Sequence, residues 1–380
     1  MLGNMQIFKY RPGKIWRFTR PSRRLLLFVV FFLTLYLSGS LYRYIVDFYF
    51  PSLTIPVKQD MSKYPVLKDQ AMFLQSVIQP VAVEDRLLLL VLVSSGARGK
   101  DHFKKRMAIR NTWGGKLHVT QTQWRVAFFL GKTHKPSVDS QRVQEAGKFK
   151  DMIIGDFADT YRNITKKLMM AFKWASSQKY EYLLKTDDDV YINIPSLIQW
   201  IISRPFPKKP LYAGILYRAD VVRDITHRHY VSWHDLPQKR YPWYPKGALY
   251  VLSGEIVKQM VEIASRVKQI TVDDAYVGLL ASYLGVQPIR LHGFIQWGFL
   301  PLLLERFDKC TYMNIFGMAD SLSPEDIYFV HREVILYQNS SKWMCIYVYH
   351  PVLCTGMMVI LVILFFYLAI RSNILTRSRH

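Results

Sequence analysis

The chain has 380 residues, room for one large or two modest domains, and only three cysteines, which excludes a disulfide framework; no Cys/His cluster has zinc-site spacing. Its net charge of +23 is uneven: ten basic residues sit in two tails and Arg43 at a tail's margin, leaving 40 Lys/Arg against 28 Asp/Glu, about +12, in between. A basic body of that kind suits nucleoside diphosphates, acidic glycans or an anionic membrane surface, and the placement inferred next excludes nucleic acid.

Residues 1–24 carry seven Lys/Arg and no acid, and read as a cytosolic basic tail. Residues 25–42 follow as 18 uncharged, mostly apolar residues, long enough to span a bilayer and without a small-residue cleavage site. A signal-anchor transmembrane helix is therefore expected over residues 25–46. A second uncharged run, residues 352–370, precedes Arg371, Arg377 and Arg379. A buried helix is its alternative, but residues 357–367 are apolar all round, so a second transmembrane helix is expected over 351–370 and a cytosolic tail over 371–380. Basic tails on both sides put both termini in the cytosol and the body across the membrane. Residues 47–84, with Pro51, Pro56, Pro65 and Pro80 and no sustained period, read as a stem.

From Leu87 onward, short apolar runs alternate with helical ones. Residues 87–93, 126–130 and 152–154 are expected strands. Asp159 or Thr160 caps an expected helix whose apolar face is Ile164, Leu168, Ala171, Phe172 and Ala175. Residues 182–185 form the next strand, and Asn193 and Pro195 open a helix carrying Leu197, Ile198, Ile201 and Ile202. A strand over 249–252 and a helix over 254–266 follow. The alternation predicts an α/β fold with a mainly parallel sheet flanked by helices on both faces, spanning residues 85–345.

The strand at 182–185 delivers Asp187, Asp188 and Asp189 side by side. Adjacent carboxylates repel, so three together need a cation or a polar network. Alternate residues of a strand point the same way, which lets Asp187 and Asp189 share one Mg²⁺ or Mn²⁺ that bridges diphosphate oxygens. A solvated turn is the plainer reading. A helix–loop–helix calcium site is excluded, because the run has no Gly at its sixth position and no Glu at its twelfth. Asn163-Ile-Thr165 and Asn339-Ser-Ser341 are N-glycosylation acceptor patterns at Asn163 and Asn339, and Cys310 and Cys345 are free to pair with each other.

Six blocks in order over about residues 87–315 carry a resemblance. Arg106-Met-Ala-Ile-Arg-Asn-Thr-Trp-Gly114 is similar to the Arg-x-x-Ile-Arg-x-Thr-Trp-Gly signature of the β1,3-glycosyltransferase family, which includes β1,3-galactosyl- and β1,3-N-acetylglucosaminyltransferases. Phe129-Leu-Gly131 resembles that family's second strand. Residues 151–174 follow its block Asp-(Ile/Leu)-(Ile/Leu)-x-x-Asp-Phe-x-Asp-x-Tyr-x-Asn-(Leu/Ile)-Thr-x-Lys, and residues 184–193 its metal motif. Tyr241-Pro-Trp-Tyr-Pro-Lys-Gly-Ala-Leu-Tyr-Val-Leu-Ser253 and Val272-Asp-Asp-Ala-Tyr-Val-Gly278 resemble its last two blocks.

The resemblance implies a GT-A-type nucleotide-sugar fold in the Golgi lumen, a UDP-sugar donor and usually Mn²⁺, with Mg²⁺ the alternative. It implies a glycan acceptor, on lipid or protein, and galactose or N-acetylglucosamine as the sugar moved. Asp274 matches the family's general base, and Asp187 and Asp189 its metal ligands. Lys185 and Asp188 fall in the donor-binding motif. Arg106 and Arg110 either anchor diphosphate or pair with acids, and Trp113 either walls the donor pocket or is core. Trp243, Tyr244, Gly247 and Asp273 fall beside the sugar, with Asp273 and Asp274 alternatively capping the following helix. One departure stands out: the family's metal-binding His, some nine residues after Cys310, falls at Ala319 or Asp320. Asp320 or His331 is its expected substitute, and a catalytically silent glycan-binding or scaffold protein is the rival reading.

Overall fold

The computed structural model describes residues 75–80, 85–115, 124–203, 210–291, 293–296, 312–313, 315–319 and 321–338. In chain order they form β1 (Ser76–Ile78), β2 (Leu87–Ser94), α1 (Lys100–Asn111), β3 (Trp124–Lys132), α2 (Pro136–Phe149), β4 (Met152–Ala158), α3 (Ile164–Ser176), β5 (Tyr180–Asp187), β6 (Tyr191–Ile192) and α4 (Ile194–Ser203). They continue as β7 (Tyr212–Tyr217), β8 (Tyr244–Ser253), α5 (Gly254–Ile263), α6 (Asp273–Tyr283), β9 (Ile289–Arg290), β10 (Phe294–Gln296), β11 (Gly317–Ala319) and α7 (Pro324–Tyr337).

Strand β2 is aliphatic at seven successive positions because both of its faces are covered. Leu90 and Leu92 meet Ala127, Phe129 and Leu183 on one face, under α3, α5 and α6. Leu89, Val91 and Val93 meet Phe128, Leu130 and Leu184 on the other, under α1, α4 and α7. Each fully buried aliphatic side chain contributes roughly 1.5–3 kcal/mol, so this double layer holds the strand ends in place.

The sheet order is β1-β4-β3-β2-β5-β8-β7-β9. Strands β4, β3, β2 and β5 are mutually parallel, but β8 is antiparallel to both β5 and β7, and β1 is antiparallel to β4. The expectation of a mainly parallel sheet is therefore corrected to a mixed one. Apolar runs report burial, not strand direction, so β8 looked like one more parallel strand. Its reversal matters: the pairing Thr186↔Leu249 brings the start of β8, not its end, to the carboxyl end of β5. A second small sheet, β10-β11-β6, closes over the same end.

Helices α1 and α2 carry little apolar signal. Helix α1 buries only Arg106, Ala108 and Ile109, and α2 only Arg142, Glu145 and Ala146. What they bury is largely charge, matched across the interface between them. Helix α7 is opened by Pro324 and a capping box in which Ser323 Oγ accepts from the Asp326 N–H at 3.1 Å.

Among the described residues no helix is long and apolar enough to cross a membrane. The expectation of two transmembrane helices, a signal anchor and a membrane-embedded chain is corrected accordingly, since no described element supplies a span. Segments 25–46 and 351–370, on which it rested, lie outside the described residues. The Golgi-membrane placement with a lumenal body and cytosolic termini loses its basis with them. Cys310, Asp320, Asn339 and Cys345 also lie outside the described residues.

Candidate active site

The parallel strands β2 and β5 end together at the triplet. Strand β5 runs to Asp187, and the Asp188 N–H donates to the Ser94 carbonyl at 3.0 Å, extending the ladder by one residue. The three carboxylates then divide. Asp188 is buried; its Oδ2 accepts from Ser95 Oγ at 2.6 Å and lies 2.7 Å from His102 Nδ1. Burial pushes the Asp188 carboxyl up, but His102 and Ser95 outweigh it and hold it below its ordinary range. Asp187 and Asp189 keep 34% and 30% of their side chains exposed, so they are the carboxylates a ligand can reach. Lys185 Nζ lies 2.8 Å from Asp187 Oδ1, and Lys105 Nζ 3.7 Å from Asp189 Oδ2. Burial nevertheless raises Asp187 to about 6, against the pull of Lys185.

Behind the triplet stands a cluster of arginines. Arg106 has no exposed surface and grips both oxygens of Glu145, each at 2.7 Å, while donating to Ser95 Oγ at 2.8 Å. Arg110 donates to Glu145 Oε1 at 2.8 Å and holds both oxygens of Asp151, at 2.8 and 2.9 Å. Arg142 adds a bond to Glu145 Oε2 at 2.7 Å. Burial alone would raise Glu145, but Arg106 and Arg110 reverse the shift and lower it. Arg106 thus reaches the triplet through Ser95 and Asp188, and Arg110 faces Glu145 on α2 and Asp151 just ahead of β4.

Asp159 ties the neighbouring strand ends together. Its Oδ2 accepts from the N–H groups of Ala97 and Gly131, at 2.9 and 3.2 Å, and its Oδ1 from Lys167 Nζ at 3.0 Å. Trp113 is buried and donates from Nε1 to the Val190 carbonyl at 3.1 Å, fixing the backbone just past Asp189. Asn163 Nδ2 donates to the Ala158 carbonyl at 2.9 Å.

The opposite wall comes from β8 and α6. Lys185, 1% exposed, donates to the Gly247 carbonyl at 2.6 Å and lies 3.7 Å from Asp273 Oδ2. Burial would lower its ammonium, but Asp187 and Asp273 hold it well above its ordinary value. Gly247 turns its N–H to Asp274 Oδ2 at 2.9 Å, and Asp274 Oδ1 accepts from the Ala275 N–H at 2.8 Å. Burial first, and the Asp273 charge second, push Asp274 up to about 7. A Cβ on Gly247 would lie 3.3 Å from Asp274 Cβ and Oδ2, a tight contact that glycine avoids. Tyr244 is buried edge-on to Tyr217 and Tyr241, and Trp243 lies under the Arg218 guanidinium at 5.9 Å.

The structure therefore brings Lys185, Asp187, Gly247, Asp273 and Asp274 into one connected set, with Asp188 and Asp189 on its flank. His331 is held elsewhere: its Nδ1 lies 3.2 Å from the Tyr191 hydroxyl, and burial lowers its pKa. Asp320 lies outside the described residues. Strand β11 pairs with β6, and the Leu322 N–H donates to the Asp189 carbonyl at 3.2 Å. Among the described residues no group of three or more His, Cys, Asp or Glu is arranged to hold a metal. Two accessible carboxylates still fit a Mg²⁺ or Mn²⁺ ion of the kind that draws its remaining ligands from water and substrate phosphates.

Ser95, His102, Lys105 and Glu145 escaped the sequence reading. The one available signal was the crowd of basic residues from Arg98 to Arg106 directly after the first strand.

The family model described as Galactosyltransferase matches residues 104–292, the stretch from α1 through β9 that contains this set. Beta-1,3-galactosyltransferase 1 of Homo sapiens is 26% identical over 259 residues, covering 67% of this chain and 77% of its own. The Mus musculus protein of the same name gives the same figures. Lactosylceramide 1,3-N-acetyl-beta-D-glucosaminyltransferase A of Xenopus laevis is 27% identical over 272 residues, covering 67% of this chain and 69% of its own. These similarities support enzymatic activity of the glycosyl-transfer type. With the triplet and the paired aspartates of α6 both inside the matched stretch, the chain is a family-level match to the galactosyltransferase domain and to homologues among the β1,3-galactosyl- and β1,3-N-acetylglucosaminyltransferases.

Proposed function

We propose that this chain is an inverting hexosyltransferase that moves galactose or N-acetylglucosamine from a UDP-sugar to a glycan hydroxyl in β1,3 linkage, with Asp274 as general base. The observation that carries the reading is the setting of Asp274. Two backbone N–H groups fix its carboxylate, its pKa is raised toward neutrality, and Gly247 links it to Lys185 and Asp187. A base of that strength accepts a hydroxyl proton near neutral pH far better than an ordinary carboxylate.

In the step proposed, the acceptor oxygen forms a bond to the anomeric carbon as the bond from that carbon to the UDP oxygen breaks. UDP leaves with the electron pair, and the hydroxyl proton passes to Asp274. Displacement from the face opposite UDP turns an α-linked donor into a β product. Lys185 is a buried positive charge beside Asp187 and Asp273, so it orients both carboxylates. Asp187 and Asp189 would hold Mn²⁺ or Mg²⁺, which supplies neutralising charge to the diphosphate.

The test is UDP release and product linkage with the full chain, UDP-galactose or UDP-N-acetylglucosamine, and a galactose-terminated acceptor. Wild type should yield a β1,3-linked product and Asp274→Asn should yield none. Wild-type turnover in the Asp274→Asn chain would remove Asp274 from the role of base.

A further inference from the structure

Residues 218–243 join β7 to β8 without helix or strand, a length at which connections inside compact domains are usually functional. They are nonetheless well built. The two ends pair, with Val221 N–H donating to the Lys239 carbonyl and Tyr241 N–H to the Ala219 carbonyl, and Arg240 bridges to Asp220. Arg223 staples the interior, donating to the carbonyls of Val231, Leu236 and Gln238 at 2.8, 2.6 and 2.6 Å. The Arg223 guanidinium lies 3.9 Å from the centre of the Trp233 ring.

Trp233 packs on the Arg223 guanidinium and is otherwise largely open. It is 54% exposed, and it lines a cavity of about 690 Å³ together with Asp220, Arg223, Gln238, Lys239 and Arg240. None of the triplet, Lys185 or Asp274 contributes to that cavity. An open indole face suits the C–H surface of a pyranose, and flanking carboxylate, amide and guanidinium groups suit its hydroxyls. Asp220 offsets part of the positive charge, which favours hydroxyl recognition over diphosphate binding.

The same connection reaches the proposed base. The Tyr230 carbonyl accepts from Thr271 Oγ1 at 2.9 Å, two residues before Asp273, and His229 Nε2 lies 2.8 Å from the Tyr161 hydroxyl with the rings stacked. Trp233 follows Tyr230 by three residues, so at most about 11 Å of backbone separates them. Asp274 follows Thr271 by three residues, so the stretches that carry the cavity and the proposed base are tied together at the Tyr230–Thr271 hydrogen bond.

We infer that the cavity around Trp233 is a saccharide subsite, which holds a sugar of the acceptor glycan distal to the one whose hydroxyl reacts. The inference rests on the glycan-acceptor reading above. It assigns residues 218–243 the task of choosing extended acceptors over single sugars.

The experiment compares methyl β-galactoside with a linear galactose-terminated tetrasaccharide as acceptors for the full chain. In Trp233→Ala, the KM for the tetrasaccharide should rise about three- to tenfold, the range expected for loss of one aromatic stacking contact. The KM for methyl β-galactoside and the rate of UDP-sugar hydrolysis should not change, and Trp233→Tyr should restore most of the loss. Equal KM values for wild type and Trp233→Ala, or an equal rise with both acceptors, would overturn the subsite. Saturation-transfer NMR of the tetrasaccharide, without donor, reads it independently of turnover. Signal on the inner sugars should appear with wild type and vanish with Trp233→Ala; no signal, or an undiminished one, overturns it. Absence of UDP release from every donor would instead sink the transferase reading, leaving the NMR result to decide the subsite.

Discussion

Gly247 and Asp274 are joined by a hydrogen bond of 2.9 Å, from the glycine N–H to Oδ2, at a point where an added Cβ would be tight against the carboxylate. The glycine also accepts from Lys185 through its carbonyl, so one residue links the ammonium beside the triplet to the proposed base. Gly247→Ala places a methyl group 3.3 Å from the Asp274 carboxylate and must move one of them by a few tenths of an ångström. We expect kcat to fall about tenfold, since displacement of a catalytic group by a fraction of an ångström is enough for that. Single-turnover kinetics beside a thermal melt checks this. A drop in Tm with unchanged kcat would show that the glycine serves folding alone.

The raised Asp274 pKa sets opposite pH trends for activity and stability. A base must be ionised to accept a proton, so kcat/KM should rise with pH and level off above about 7. Stability runs the other way. The folded-state pKa lies above the unfolded value near 4, so between these values the folded chain binds more protons and loses stability as pH increases. Asp274→Asn lacks this titration. The Tm difference between variant and wild type should therefore shift in the variant's favour from about pH 5 to about pH 8. A constant difference across that range would contradict the raised pKa.

Much of the fold was legible because buried strands announce themselves as aliphatic runs, and β2, β3 and β5 each contain the residues expected of them. Helices α1 and α2 were not, since the faces they bury carry Arg106, Arg142 and Glu145 in place of an apolar stripe. Strand direction left no trace in residue type, which is why β8 was expected to run parallel. In the site, the Asp187–Asp189 run stood out as a costly cluster of like charge, whereas Asp273 and Asp274 were marked only by the family resemblance. Their partners did not. His102 and Asp188 are 86 positions apart, and Lys185 and Gly247 are 62 apart, so only the folded chain reveals the match.

Glu145 is the hub of the arginine cluster and should be its weakest point. It accepts from Arg106, Arg110 and Arg142, and its loss leaves a fully buried guanidinium facing no charge. Removing one partner from a buried ion pair costs about 3–5 kcal/mol. Glu145→Ala should therefore lower unfolding free energy by roughly that amount in urea titration. A loss below about 1 kcal/mol would place the cluster among surface pairs in energetic terms.

Asp188 and Asp189 are neighbours and should fail in different ways. Asp188 is buried against Ser95 and His102, and its carboxyl is held below the ordinary range. Its depressed pKa contributes stability that is present above the unfolded value and lost as pH falls below it. Asp188→Asn removes a charged acceptor from one buried and one half-buried contact, and should cost about 1.5–3 kcal/mol of stability at neutral pH. Asp189 is 30% exposed, so Asp189→Asn should leave Tm nearly unchanged. Its deficit should appear in ligand binding: calorimetry with UDP and Mn²⁺ should show weakened affinity in Asp189→Asn, and chelation of the metal should weaken wild type to a similar level. If UDP binds equally well to both chains with and without Mn²⁺, Asp189 has no part in cation-assisted diphosphate binding. If Asp188→Asn is instead the variant with normal stability, the division of the triplet into one structural and two accessible carboxylates is wrong.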